Sequence, residues 1–167
     1  MIFFISDLHL GHKSILKFQP NRPATDLKEH SRWLVKQWNS VVGKQDVTYL
    51  LGDICFSKKH LVYFRQMRGQ KHLILGNHDT LSLKQFAPYF NTIHGFKKVA
   101  GFWLSHCPLH PDSLSASKNI HGHIHTGVVM LGDKPDPRYI NVNVDHLNGI
   151  PLSLDIIKRS LDEGMVE

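Results

Sequence analysis

"LILGNHDTL", residues 73–81, decides how the chain is read. Leu73, Ile74 and Leu75 read as the end of a buried strand, and Gly76 stops it. Asn77, His78 and Asp79 follow, three side chains able to hold a metal ion or move a proton. Taken alone, they make an ordinary turn. The same pattern recurs, however. "IFFI" runs into Ser6-Asp7, "VTYLL" into Gly52-Asp53 and "GFWL" into Ser105-His106. Short unbroken apolar runs of this kind fit strands buried on both faces. "YINVNV" (139–144) alternates and fits a strand with one wetter face.

Helical spacing fills the gaps. Leu27, Leu34, Trp38, Val41 and Val42 form one apolar stripe, with Asp26 and Glu29 as its start and Gly43 as its stop. Residues 57–69 predict a helix between Ser57 and Gly69, and 81–90 one interrupted by Pro88. Ser153 and Gly164 bound a C-terminal helix, while 19–25 and 131–138 read as loops. Strands alternating with helices predict an α/β fold, a sheet covered on both faces, in one compact domain over 1–167. In such sheets ligands sit just beyond the carboxyl ends of the strands. The polar residues that stop each run would therefore meet on one edge.

Composition bounds the function. With 167 residues, 41% hydrophobic and 20% charged, the chain can bury a core and is not disordered by composition. No apolar run approaches the ~20 residues needed to span a bilayer, so no membrane partner is expected. The N-terminus lacks the basic segment of a signal peptide. Cys55 and Cys107 lie too far apart to form a pattern and are expected as reduced thiols in a cytoplasmic protein. The net charge of +6 favours polyanionic partners such as nucleic acid. Thirteen histidines are an excess, and none are adjacent, which excludes a purification tag.

Those histidines gather at the strand ends. Asp7 and His9 come from "SDLHLGH", Asp53 from "LGDI" and His106 from "SHCP", while His123 and His125 come from "IHGHIH". Residues two apart in an extended segment point the same way, so Asp7 with His9, and His123 with His125, can reach one point. With Asn77 they make seven donors: carboxylate, imidazole and one amide oxygen, with no thiolate required. This set suits manganese, iron, zinc, cobalt, nickel or magnesium. Seven donors exceed the needs of one four-coordinate ion with an open position, and suit two divalent ions ~3.5–4 Å apart.

"SDLHLGH", "LGD", "GNHD", "SHCP" and "HGHIH" resemble the five signature blocks of the calcineurin-like metallophosphoesterase superfamily, with the small bacterial and phage members the nearest in size. The resemblance implies a four-layer α/β/β/α sandwich. It gives Asp7, His9 and His125 to one metal ion, Asn77, His106 and His123 to the other, and Asp53 to both as a bridge, with manganese the first choice. It sets His78 above the substrate as general acid, with Asp79 behind to orient it. The family more often has glutamate at the position of Asp79.

The implied activity is hydrolysis of a phosphodiester, from a nucleotide or nucleic acid, by a hydroxide made available between the ions. Two alternatives stay open: a phosphomonoesterase, protein phosphatases included, and a non-catalytic metal-binding scaffold. Arg22 and His12 are candidates for substrate contact, because a guanidinium matches phosphate bidentately; His110 and His121 lie near the motifs too. Cys107 reads as a small packing residue, and Trp33, Trp38 and Trp103 as core.

Overall fold

Four residues, Ile2–Ile5, form β1, and β2 (Val47–Leu51) and β3 (Gln70–Ile74) lie parallel beside it. The computed structural model describes residues 1–163. Side chains along these strands alternate between two separate cores, as the apolar runs predict. Phe3, Ile5, Leu50 and Leu73 enter one; Phe4, Tyr49, Leu51 and Ile74 enter the other.

The first core is closed by α2 (Leu27–Val41), which follows a short α1 (Ile15–Phe18). The Asp26 carboxylate caps α2, accepting from the Lys28 and Glu29 amides at 2.7 and 2.8 Å. Leu34 and Trp38 are buried beneath it. The helix ends at Val41, with Val42 already extended, one residue before Gly43.

Residues 57–69 depart from the expected α-helix. Lys58–Arg65 form a 3₁₀ helix, and the Ser57 side chain caps nothing. Leu61, Phe64 and Met67 are the buried residues. They recur every third position, which fits the three-residue turn of a 3₁₀ helix better than the 3.6 of an α-helix. Only Leu83–Phe86 of the 81–90 segment is helical (α3), capped by Ser82.

The five-stranded sheet is completed by β4 (Thr92–His94), parallel to β3, and by β11 (Leu152–Ser153), antiparallel to β1. A second sheet contains β5 (Lys97–Val99), β6 (Phe102–Leu104), β7 (Lys118–His121) and β10 (Tyr139–Asn141), in the order β10-β7-β6-β5. Phe102, Leu104 and Ile120 of this sheet join Phe4, Leu51 and Ile74 of the first in one buried cluster, so the two sheets pack face to face. The C-terminal helix α4 (Leu154–Asp162), capped by Ser153, adds Leu154 and Ile157 to it. Gly164, expected to end this helix, lies outside the described residues.

Residues 131–138 are not simply a loop. β8 (Met130–Leu131) and β9 (Lys134–Pro135) make an exposed hairpin across Gly132-Asp133. A two-residue Gly-Asp connection is a hairpin signal that the Pro-rich composition hid. The "YINVNV" strand is also shorter than expected. Beyond Asn141 the chain leaves β7 and crosses to β1, where Ser6 pairs with Asn143. No helix among the described residues is long and apolar enough to cross a membrane.

Candidate metal centre

β1, β2 and β3 run in one direction, as do β6 and β7, and the predicted donors lie just past their carboxyl ends. Backbone bonds splice the loops together. The Asp7 amide donates to Gly52 O, the His9 amide to Asp53 O, and the Gly122 amide to His106 O. The His123 amide donates to Asp7 Oδ2 at 3.0 Å. Two glycines permit this closeness. A Cβ on Gly122 would collide with Ser6 and the Asp7 carboxylate, and one on Gly76 would collide with Asp53.

The seven predicted donors lie together, with Asp7 and Asp53 between the His9 side and the His106 side. Asp7, His9 and His125 offer atoms within 4.8 Å of one another, as do Asp7, Asp53 and His106. In the other group, His106 Nε2 lies 2.9 Å from Asn77 Oδ1 and 3.2 Å from His123 Nδ1. Asp53 faces both sides, with Oδ1 3.4 Å from His106 Nε2 and Oδ2 3.9 Å from His9 Nε2.

These atoms fit metal ions better than they fit each other. His106 Nδ1 meets Leu51 O at 2.8 Å, and a carbonyl only accepts, so the proton sits on Nδ1. In the neutral ring Nε2 is then a lone pair, facing an amide oxygen and a second ring nitrogen. Two ligands of a single ion stand roughly 3–3.5 Å apart, given metal–nitrogen bonds of ~2.1 Å. Asp7 Oδ1 and His9 Nε2 are buried without a hydrogen-bond partner. Orphaned polar atoms of this kind normally cost stability, and a cation between them removes the cost.

The charges say the same. Burial alone would raise the pKa values of Asp7 and Asp53, yet the surrounding histidines hold both below the ordinary value. Burial alone would lower that of His106, yet the two carboxylates raise it.

The backbone carries the imprint as well. Eight described non-glycine residues have positive φ, and five of them are Asp7, His9, Asp53, His123 and His125, with φ from 46° to 70°. Left-handed backbone at a non-glycine residue costs about 1–2 kcal/mol and persists where surrounding structure imposes it. Here it re-aims a side chain straight after a strand end.

His78 stays outside the donor groups. It is exposed, its amide donates to Asp53 Oδ1 at 2.9 Å, and its ring packs at 5.4 Å against Phe56. Asp79 differs from expectation. Its carboxylate does not hold His78 but accepts from the amides of Gly76, Asp53 and Ile54 at 2.8, 2.9 and 3.0 Å. It clamps the loop after β2 to the loop after β3, and burial raises its pKa. The reason is length: an aspartate this close to the turn reaches the amides, whose donors would otherwise be orphaned.

Arg22 requires a larger correction. It is buried, with no face toward a substrate. Its guanidinium binds Asp145 through Nε at 2.7 Å and Nη2 at 3.0 Å, and the carbonyls of Leu8 and Asp7 at 3.1 and 3.0 Å. It braces the loop that carries Asp7 and His9. Cys107, expected to pack, is exposed, and its sulfur lies near His106 and His123. His110 is exposed beside Asp112, and His121 is buried with Nδ1 2.9 Å from Gly122 O; neither joins the donor groups. His12 is half-buried against His9 and Phe56. Trp38 is core, while Trp103 is half-buried beneath Lys98.

Asp145 was missed by the sequence reading. It accepts from His125 Nδ1 at 2.9 Å, which leaves Nε2 free to ligate. Burial pushes its pKa up, but His125 and Arg22 outweigh this and hold it at about 2. The signal was present, since the alternating strand "YINVNV" also runs into a carboxylate, Asp145. Partners of metal ligands carry about 10–100-fold in affinity. Asp145→Asn should weaken metal binding by about that factor, read by titrating metal-free protein with Mn2+. Unchanged affinity would remove Asp145 from the centre.

Comparison with known proteins places the chain among relatives. No family model matches it. An uncharacterized protein of Methanocaldococcus jannaschii is 35% identical over 178 residues, covering 99% of this chain and 93% of that protein. The chain belongs to the same family as that archaeal protein. The chain is also similar to phage proteins: the gene 66 protein of Mycobacterium phage D29 is 27% identical over 86% of the chain and 87% of its own length. That of phage L5 is 36% identical over 61% of the chain and 47% of its own length. A crystal structure of a protein of unknown function from Aquifex aeolicus superposes with a TM-score of 0.73 at 24% identity, over 98% of both chains, a likeness of fold.

Proposed function

We propose that the protein is a dinuclear metal-dependent phosphoesterase of the calcineurin-like type, hydrolysing a phosphodiester. The observation that carries the reading is Asp53, whose two carboxylate oxygens face two separate donor groups, 3.4 Å from His106 and 3.9 Å from His9. The four-layer sandwich belongs to the same proposal, supported by two packed sheets with α2 over one outer face.

Asp7, His9 and His125 would hold one ion, Asn77, His106 and His123 the other, and Asp53 both. When bound, two dications supply a nucleophilic water at neutral pH and offset charge on the phosphoryl oxygens. Manganese is the first choice for this imidazole and carboxylate set. The chain's own residues do the rest. Asp145 and Leu51 O fix the tautomers of His125 and His106. His78, exposed at the edge of the donor groups, gives a proton to the leaving oxygen as its bond to phosphorus breaks. The products are a phosphomonoester and an alcohol.

A diester is favoured over a monoester because the net charge of +6 suits a polyanionic substrate. Nucleotides and nucleic-acid ends are the matching substrates. The free thiols Cys55 and Cys107 suit a cytoplasmic setting. Purified protein should bind two equivalents of Mn2+. It should cleave bis-p-nitrophenyl phosphate faster than p-nitrophenyl phosphate, and lose both activities with a chelator. Faster monoester cleavage would turn the reading to a phosphomonoesterase. Two bound ions with neither activity would leave a metal-binding scaffold.

A further inference from the structure

Beside the donor groups lies a cleft of about 550 Å3, lined by Gly11, His12, Lys13, Leu27, Phe56 and His60. Its volume falls within the ~300–1,000 Å3 of small-molecule sites. Its floor is Phe56, three residues after Asp53. The Phe56 amide donates to Leu10 O at 2.8 Å, which ties its backbone to the loop bearing His9. Its half-buried ring is surrounded by imidazoles. His9 stacks on it at 4.9 Å and 20°, His12 lies at 4.5 Å and His78 at 5.4 Å.

The position of this ring gives the cleft a direction. His9 is a candidate ligand and His78 the candidate proton donor, and Phe56 touches both. A group leaving phosphorus on the side of His78 therefore departs toward Phe56 and His12. Phe18 stands beside His12, next to the cleft. Its ring is 68% exposed and sits 5.9 Å from that of His12. Lys13 adds a positive charge to a lining in which Phe56, His12 and His60 are the rings.

We propose that this cleft is the subsite for the leaving group of the phosphodiester, and that the group it accepts is a nucleobase-bearing alcohol. The proposal rests on the phosphoesterase reading for its direction, but binding in the cleft does not depend on turnover. Aromatic floor, aromatic wall and cation together match a nucleoside attached to phosphate. An aliphatic alcohol would gain nothing from the rings. Stacking of a base on an aromatic side chain strengthens binding by roughly 5–150-fold.

Adenosine 5′-monophosphate spans phosphate and base, and ribose 5-phosphate is its counterpart without the base. Calorimetry on Mn2+-loaded protein should find the nucleotide bound at least about 5-fold more tightly. Phe56→Leu should abolish that preference while ribose 5-phosphate binding and metal content stay as in the wild type. Phe18→Ala, at an exposed position that cannot unfold the chain, should reduce the preference in part. Equal affinity for the two ligands, or no binding of either, would overturn the proposal. So would an equal loss for both ligands in Phe56→Leu, or an unaltered preference in both variants. If diester hydrolysis fails but the preference stands, the phosphoesterase reading fails and the cleft survives. If hydrolysis stands without the preference, the cleft fails alone.

Discussion

Asp53→Asn should release both metal ions and abolish most activity, with a loss greater than about 100-fold. The bound is set by comparison, because removing a residue that merely supports a ligand costs about 10–100-fold. Asp53 turns one oxygen to each group, Oδ1 toward His106 at 3.4 Å and Oδ2 toward His9 at 3.9 Å. Asparagine keeps the shape and one oxygen but loses the charge. Its NH2 then confronts lone pairs on one side or the other. A further effect is local, because Asp53 Oδ1 also accepts the His78 amide at 2.9 Å, so the loop after β3 loosens with it. His9→Ala is the control. His9 serves one group, so one equivalent of metal should remain. Metal analysis decides between these outcomes. Two ions retained in Asp53→Asn with near-native hydrolysis would remove the bridge, and with it the observation on which the phosphoesterase reading stands.

The donor set was legible because all its members but His123 and His125 follow an apolar run, and the end of a buried strand leaves little freedom about where the next side chain goes. Leu50 and Leu51 must stay buried, so Asp53 must emerge at the sheet edge. What the sequence hid was the use of charge inside the loops. Arg22, in "PNRP", carries no mark that separates a solvated arginine from a buried brace, since its partner Asp145 lies 123 residues away. Asp79 looked like a partner for its neighbour His78, but three amides in reach outbid a ring that points to solvent. The positive φ values at Asp7, His9 and Asp53 could not be read either. Asp and His enter that region more readily than most residues but still in a small minority of cases, and here the surroundings that select it come from both sheets. The same long-range origin explains the late elements. β11 is two residues that pair with Phe3 and Phe4, and nothing local in "PLS" announces a strand.

His78→Ala should separate substrates by their leaving groups. p-Nitrophenolate departs readily without a proton, whereas a ribose alkoxide does not. General acid catalysis contributes about 10²–10⁴-fold where a proton is needed. A nucleotide diester should therefore slow by about that factor, and an activated aryl diester far less. Both metal ions should stay bound, because the ring of His78 lies against Phe56 and outside the donor groups. Two other residues refine the result. Asp79 clamps backbone amides, so Asp79→Asn should act through the loop and slow both esters alike, without the split between them. Phe56, 5.4 Å from His78, is the group that sets the ring's position, so the proton donor is oriented by packing instead of by a carboxylate. Loss of metal in His78→Ala would make it a ligand. An equal loss on both esters would mean that it binds the phosphoryl group and that the leaving oxygen takes its proton from elsewhere.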